Sequence, residues 1–270
     1  MEYEKIVLIC ENSMEGIFSA VYDGWKLQQS GKNVEISIRE PDFPDFFTSI
    51  RPVTTDQEKA GKVMRTVSDK LGHQVYEAVC YTAVSCHPRK GTIVFRVLWQ
   101  AISGKKYDRR IMENLADPEV NLASKLRIKV WHELHRYYGF VRFREIGGRV
   151  LFSQITPEND ILELLAPHFS DRFPNEDWMI YDENRKKVLL HPKGKPPFIQ
   201  NNAVLQEDTR KQLAEKEEYE ELWRHFCRSV TIQERKNPGL QQLLPLKFRG
   251  NMPEFCSHNK TSLSFCDEVK

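Results

Sequence analysis

Three hydrophobic rhythms follow one another along this chain. Residues 6–10, "IVLIC", are an unbroken apolar, β-rich run, the pattern of a strand covered on both faces. Ile17, Ala20, Val21 and Trp25 then recur at helical spacing, with Asn12 or Ser13 placed to cap the helix and Gly31 to end it. "VEISIREP" returns to alternation and stops at a proline, which predicts a second strand. "PDFPDFFTSIRPV" reads as loop from its prolines. The opening is therefore a βαβ unit. No Gly-rich loop joins its first strand to its helix, which argues against a dinucleotide site.

From Thr55 to about Tyr138 the periodicity is helical, in four segments separated by Gly, Pro or Asp-Pro breaks. No period of solenoid length repeats. The rhythm changes at Gly139. "FVRFREI" and "RVLFSQI" flank Gly147-Gly148, a two-residue hairpin signal. "TPENDILELLAPHF" reads as a helix, with Thr156 as cap and Pro157 in its first turn. "DWMIYDENRKKVLLHP" reads as a second hairpin turning at Glu183 to Arg185, and "KGKPPFIQNN" as a linker. A last helix is predicted from about Glu207 to Val230, with Tyr219, Leu222, Trp223, Phe226 and Val230 on one stripe. The predicted fold class is α+β: a helix-rich N-terminal half with a short βαβ opening, then a ββαββ antiparallel sheet core packed by a long C-terminal helix. The expected boundaries are 1–138, 139–254 (one compact unit with the first) and a mobile tail at 255–270.

Composition narrows the function little. A hydrophobic content of 40% and a charged content of 29% describe an ordinary globular chain of 270 residues. A formal net charge of +2 selects neither nucleic acid nor membrane, so a polyanionic ligand has to be argued from local clusters. The apolar run near Cys10 is too short for a signal-peptide core or a membrane span, and the six cysteines form no CxxC pair. Both point to a cytoplasmic protein with free thiols and no membrane partner.

Candidate chemistry gathers first in "WHELHRYYGFVRFRE", residues 131–145. His132 and His135 are close enough on a helix to share a metal ion, but Arg136 stands where the H-E-x-x-H signature needs its second histidine. Helical geometry sets His135 beside the apolar arc of Leu126, Val130, Leu134 and Tyr138, so a packed or hydrogen-bonded histidine is expected rather than a ligand, and no metal or other cofactor is expected. Arg127 falls inside that arc and has no evident reason to be there. Cys256, His258 and Cys266 match no common zinc spacing.

The basic residues carry more. Arg136, Arg142, Arg144 and Arg149 surround the first hairpin; Lys186, Lys187, Lys193 and Lys195 surround the second; Arg224, Arg228, Arg235 and Lys236 line or follow the last helix. Much of the acid lies elsewhere, as in "EKEEYEE", so a positive face is compatible with a near-neutral total. Among acid–base candidates, Glu133, Glu145, Asp171, Asp182, His135 and His168 lie near these clusters, and no spacing among them defines a pair.

"VWHELHRYYGFVRFRE", "ITPENDILELLAPHFSDRFPNEDWMIYDENRK", "LWRHFCRSVTIQERKNPGLQQLLPLKF" and the opening "VLICENSMEGIFSAVYDGW" together resemble a bacterial family of unknown function over most of residues 5–254. Its members carry DNA repair and DNA metabolism labels. They are typically encoded beside a DNA-modifying radical S-adenosylmethionine protein, and the domain also occurs fused to uracil-DNA-glycosylase-like domains. The matching positions are His135, Arg136 and Gly139 to Arg144; His168, Phe169, Arg172 and Phe173; Ile180, Asp182 and Arg185; and Trp223, Arg224, Phe226, Arg228, Ser229, Arg235, Asn237 and Pro238. Residues from Cys256 onward have no counterpart. The resemblance implies a DNA metabolism protein that binds DNA through a basic groove, or serves as accessory partner of the radical enzyme. Arg136, Arg142, Arg144, Arg172, Arg185, Arg228 and Arg235 would then contact phosphate. Two other expectations stand beside it: an enzyme acting directly on nucleic acid, hydrolase or glycosylase-like, with His135, His168 and Asp182 as acid–base groups; and a protein-interaction adaptor without DNA affinity.

Overall fold

In a computed structural model, residues 5–41, 47–104, 106–204, 229, 246–249 and 252 are described. The chain is mixed α/β with two sheets, and it divides into two compact units. Unit 1 comprises Met1–His135 with Glu158–Ile161, and unit 2 comprises Arg136–Pro157 with Leu162–Lys270. Apart from Ser229, the predicted C-terminal helix, with Arg224 and Arg228, lies outside the described residues, as do Arg235, the tail and Cys227, Cys256 and Cys266.

Unit 1 is built on a parallel sheet in which β1 (Lys5–Ile9) sits between β2 (Asn33–Ser37) and β3 (Thr48–Pro52). The central position explains the apolar run: Ile6, Val7 and Leu8 are all buried. The helix α1 (Met14–Gln29) joins β1 to β2. Ser13 rather than Asn12 caps it, its Oγ accepting the Gly16 N–H at 3.1 Å. The segment read as a proline loop holds β3. An edge strand tolerates this composition, because proline closes it at Pro52 and only one side of its backbone needs partners.

Four helical segments follow: α2 (Gln57–Thr66), which runs into a π-helical turn at Val67–Leu71, then α3 (His73–Val84), α4 (Lys90–Ile102) and α5 (Pro118–Phe140). Each matches a segment of helical periodicity. Asp56 caps α2 through its Oδ1. Asp117 caps α5 in the same way, accepting from Glu119 and Val120, with Pro118 in the first position where no N–H is needed. α4 docks closely on β2. The Thr92 hydroxyl donates to the Ile36 carbonyl and accepts the Ile36 N–H, each at 3.0 Å, so one side chain supplies the bonds a further strand would make. Gly91 permits this approach: a Cβ there would lie 2.7 Å from Ile36 Cγ2 and 2.9 Å from the Ile36 carbonyl oxygen. Arg127, unexplained by the helical arc, pairs with Glu77 of α3 at 3.3 Å.

Unit 2 holds a five-stranded sheet in the order β4 (Arg144–Ile146), β5 (Val150–Ile155), β6 (Asp177–Asp182), β7 (Lys187–His191) and β8 (Phe198–Gln200). Both hairpins form. Gly147 and Gly148 adopt φ of +60° and +66°, and the Arg149 N–H closes that turn on the Ile146 carbonyl. Two features correct the expectation of a ββαββ antiparallel core. β5 and β6 are parallel, since α6 (Leu162–Arg172) crosses over between them, so the sheet is mixed. The expected linker supplies a fifth strand, β8, on the edge beyond β7.

Burial in this sheet follows from the parallel pair. On one face Trp178, Ile180 and Leu189 are buried, and Phe143 and Phe169 meet the Trp178 ring edge-on. On the other face Phe152, Tyr181 and Val188 form a second buried cluster. Hairpin strands with one wet face would alternate more strictly.

The predicted start of α6 also shifts. Thr156 and Pro157 do not open the helix, which begins at Leu162. Residues 158–161 instead belong to unit 1. The Glu133 carboxylate on α5 accepts the N–H groups of Glu158 and Asn159, each at 2.9 Å, and the Asn159 amide at 2.6 Å. Asn159 Oδ1 in turn accepts the Cys86 N–H, and the Asp160 N–H donates to the Val84 carbonyl. These long-range bonds take the backbone groups that a local cap would otherwise have used.

Candidate functional site

The strand register of unit 2 gathers cations at one end of its sheet. Val150, the first residue of β5, pairs with Asp177, the first residue of β6. Arg149 directly precedes Val150, and Arg172 ends α6 just before the chain re-enters the sheet at Asp177. β7 runs antiparallel to β6, so its C-terminal end returns to the same place, where the Lys193 N–H donates to Asp177 Oδ1 at 2.7 Å and Lys195 follows. Arg149, Arg172, Lys193 and Lys195 are exposed, and none makes an ion pair among the described residues. Arg172 lies over the Phe173 ring at 5.5 Å. Glu145, Asp171 and Glu176 lie in the same region, so the end is not uniformly positive. Other cations are paired: Lys5, Lys59, Lys62, Arg89, Arg110, Arg127 and Lys129 in unit 1, and Arg185 in unit 2, have carboxylate partners.

The other expected phosphate ligands are more engaged. Arg136 stands over the Phe248 ring at 5.9 Å. Arg142 donates to the Gly139 carbonyl at 2.7 Å, and Arg144 opens β4 half-buried. Since α5 extends to Phe140 and β4 begins only at Arg144, Arg142 lies outside the strand that Arg144 opens. Arg185 donates to Asp182 Oδ2 and to the Pro157 carbonyl, each at 3.0 Å.

Asp182 is fully buried. Its Oδ1 accepts the N–H groups of Asn184 and Arg185, so both oxygens serve the β6–β7 turn. His168 on α6 stacks on Tyr138 with centroids 4.2 Å apart, and its Nε2 is enclosed without a hydrogen-bond partner. Burial, and then the nearby Arg172 guanidinium, hold the His168 imidazole below its ordinary pKa.

In unit 1, His135 departs from its expected place. It is exposed and stacked on Trp131, with rings 5.2 Å apart and 9° from parallel, while Leu126, Val130 and Leu134 form the buried stripe. In "WHEL" Glu133 is buried beside Leu134, at 3% exposed, which the long-range bonds to residues 158–159 demand and no local spacing reveals. Among the described residues no group of three or more His, Cys, Asp or Glu side chains is arranged to hold a metal ion. Cys10 and Cys86 are poorly suited to nucleophilic work. Burial pushes Cys10 up to about 11 despite the pull of Lys90, and burial with the Glu158 carboxylate raises Cys86. No described helix is long and apolar enough to cross a membrane.

The four gathered cations were visible in the sequence only as members of separate basic clusters, apart from Arg172. The parallel β5–β6 pairing brings them to one end, and that pairing follows from the α6 crossover. A search of the curated proteins found no match to the chain. Residues 88–254, more than half of its length, match the family described as a domain of unknown function, DUF4130. The region includes α4, α5, both hairpins and α6, and the protein belongs to that family.

Proposed function

We propose that this protein acts in DNA metabolism by holding nucleic acid against the cation-bearing end of the unit 2 sheet, either alone or as accessory to a radical S-adenosylmethionine enzyme. The observation that carries this reading is the set of four exposed cations, Arg149, Arg172, Lys193 and Lys195, without ion pairs among the described residues. Isolated surface cations ordinarily cost nothing, but four brought together by strand register form a site that phosphates can neutralise without base readout. The context of DNA metabolism and the radical enzyme comes from the resemblance in the residues above. Binding is favoured over acid–base catalysis because Asp182 is buried and both of its oxygens already serve the β6–β7 turn.

The test is anisotropy of labelled single- and double-stranded oligonucleotides across a salt series. Four phosphate contacts predict a log–log slope near about −3.6 on duplex and about −2.8 on single strands. Replacing Lys193 and Lys195 with Gln should reduce the duplex slope by about 1.8. Absent binding, or binding indifferent to salt and to these substitutions, rules the reading out.

A further inference from the structure

Unit 1 contains a cavity of about 320 Å³ that the DNA-binding reading does not use. α1 and α2 form its walls through Trp25 and Val63, and α4 supplies its floor through Leu98 and Ile102. The Trp25 ring is held from behind, tilted on Trp99 at 4.9 Å and edge-on to Phe95 at 6.4 Å, so this wall is already fixed before any ligand arrives. The volume falls at the small end of the range for small-molecule sites, and an apolar interior with a few polar groups at the mouth is their usual construction.

The mouth carries a charge asymmetry. Lys62 is held by Glu58 at 2.7 Å, but Lys26 is exposed and makes no ion pair among the described residues. No carboxylate lines the cavity. An apolar molecule with a terminal anion would seat its body on Leu98, Ile102 and Trp25 and bring its charge to Lys26. A neutral apolar molecule would gain only the first interaction, and a polyanion would lose solvation without matching the apolar floor. We propose that this cavity is a binding site for a small apolar monocarboxylate, with Trp25 and Leu98 holding the body and Lys26 the carboxylate. The walls come from residues 21–67, outside the 88–254 family match, so the site belongs chiefly to the N-terminal part of this chain.

Isothermal titration of the full chain with decanoate and with decanol tests the proposal. Decanoate should bind once per chain and severalfold more tightly than decanol, the range open to one exposed ion pair (up to about 5-fold). Lys26→Gln, a surface change, should bring decanoate down to the decanol level and leave decanol unchanged. Val63→Phe, which fills the cavity from its wall, should abolish both, with circular dichroism confirming the fold. Equal affinity of the two probes for the wild-type chain, decanoate binding unaltered by Lys26→Gln, or binding that survives Val63→Phe overturns the site.

Discussion

His168 shows how one residue can hold a fold together and still work against it. Its ring stacks on Tyr138, yet its Nε2 is shut away from both water and partners. An enclosed, unsatisfied nitrogen costs about 1–3 kcal/mol, whereas an apolar ring of similar shape keeps the stack without that cost. His168→Phe should therefore be at least as stable as the wild type at neutral pH, measured by urea unfolding. The pH dependence has a definite sign. Burial, then Arg172, depress the folded-state pKa of His168 below the ordinary 6.5. The unfolded chain then binds the proton more readily, so stability is full above about 6.5 and falls as the pH drops through the window beneath it. Burial and Arg89 act on His87 in the same direction. The urea midpoint should fall between about pH 7 and about pH 5, and His168→Phe should lessen that fall without removing the share due to His87. An unchanged fall in the variant would show that the ring does not meet the burial described here.

Elements were legible where local signals ran unopposed. β1, β2, the helices up to α5, and both hairpins follow from periodicity, caps and the Gly147-Gly148 turn. The failures have physical causes. β3 and β8 are short edge strands beside prolines, and a strand paired on one side gives little alternation to read. The start of α6 was misplaced because Glu133 captures the N–H groups of residues 158 and 159 from afar. The buried stripe of α5 is narrower than the predicted arc, which leaves the His135 imidazole exposed and stacked on Trp131. The α4–β2 contact gives a test at this scale. Gly91→Ala would drive a methyl into the Ile36 backbone carbonyl, which cannot swing aside as a side chain can, and should cost about 1–3 kcal/mol. Gly61→Ala on α2 meets nothing within 4 Å and should stabilise by about 0.5–1 kcal/mol. Thermal unfolding of the pair separates a packing requirement from helix propensity, and equal effects would refute the close approach.

At the scale of the whole chain, the family match and the compact units do not share boundaries. The match begins at residue 88, inside unit 1, just before α4. Ile93, Val94, Phe95, Val97 and Leu98 of that helix are all fully buried, and their unit 1 surroundings include β2, α1 and α3. A fragment spanning 88–254 would expose them, at about 1.5–3 kcal/mol for each large side chain. It should be insoluble or unfold without cooperativity in circular dichroism, while the full chain unfolds cooperatively; a soluble, cooperative fragment would mean that the matched region is self-sufficient. The same mismatch limits how far the basic end of unit 2 could be read from the residues alone, since its assembly depends on register rather than spacing.

The short return of residues 158–161 to unit 1 has a genetic consequence. Four residues of one unit are written inside the coding stretch of the other, so no single crossover can exchange either unit whole. A recombinant that swapped everything after residue 135 would separate Glu133 from the backbone N–H groups of residues 158 and 159 that it was fitted to hold. The two units are thus constrained to be inherited as one text.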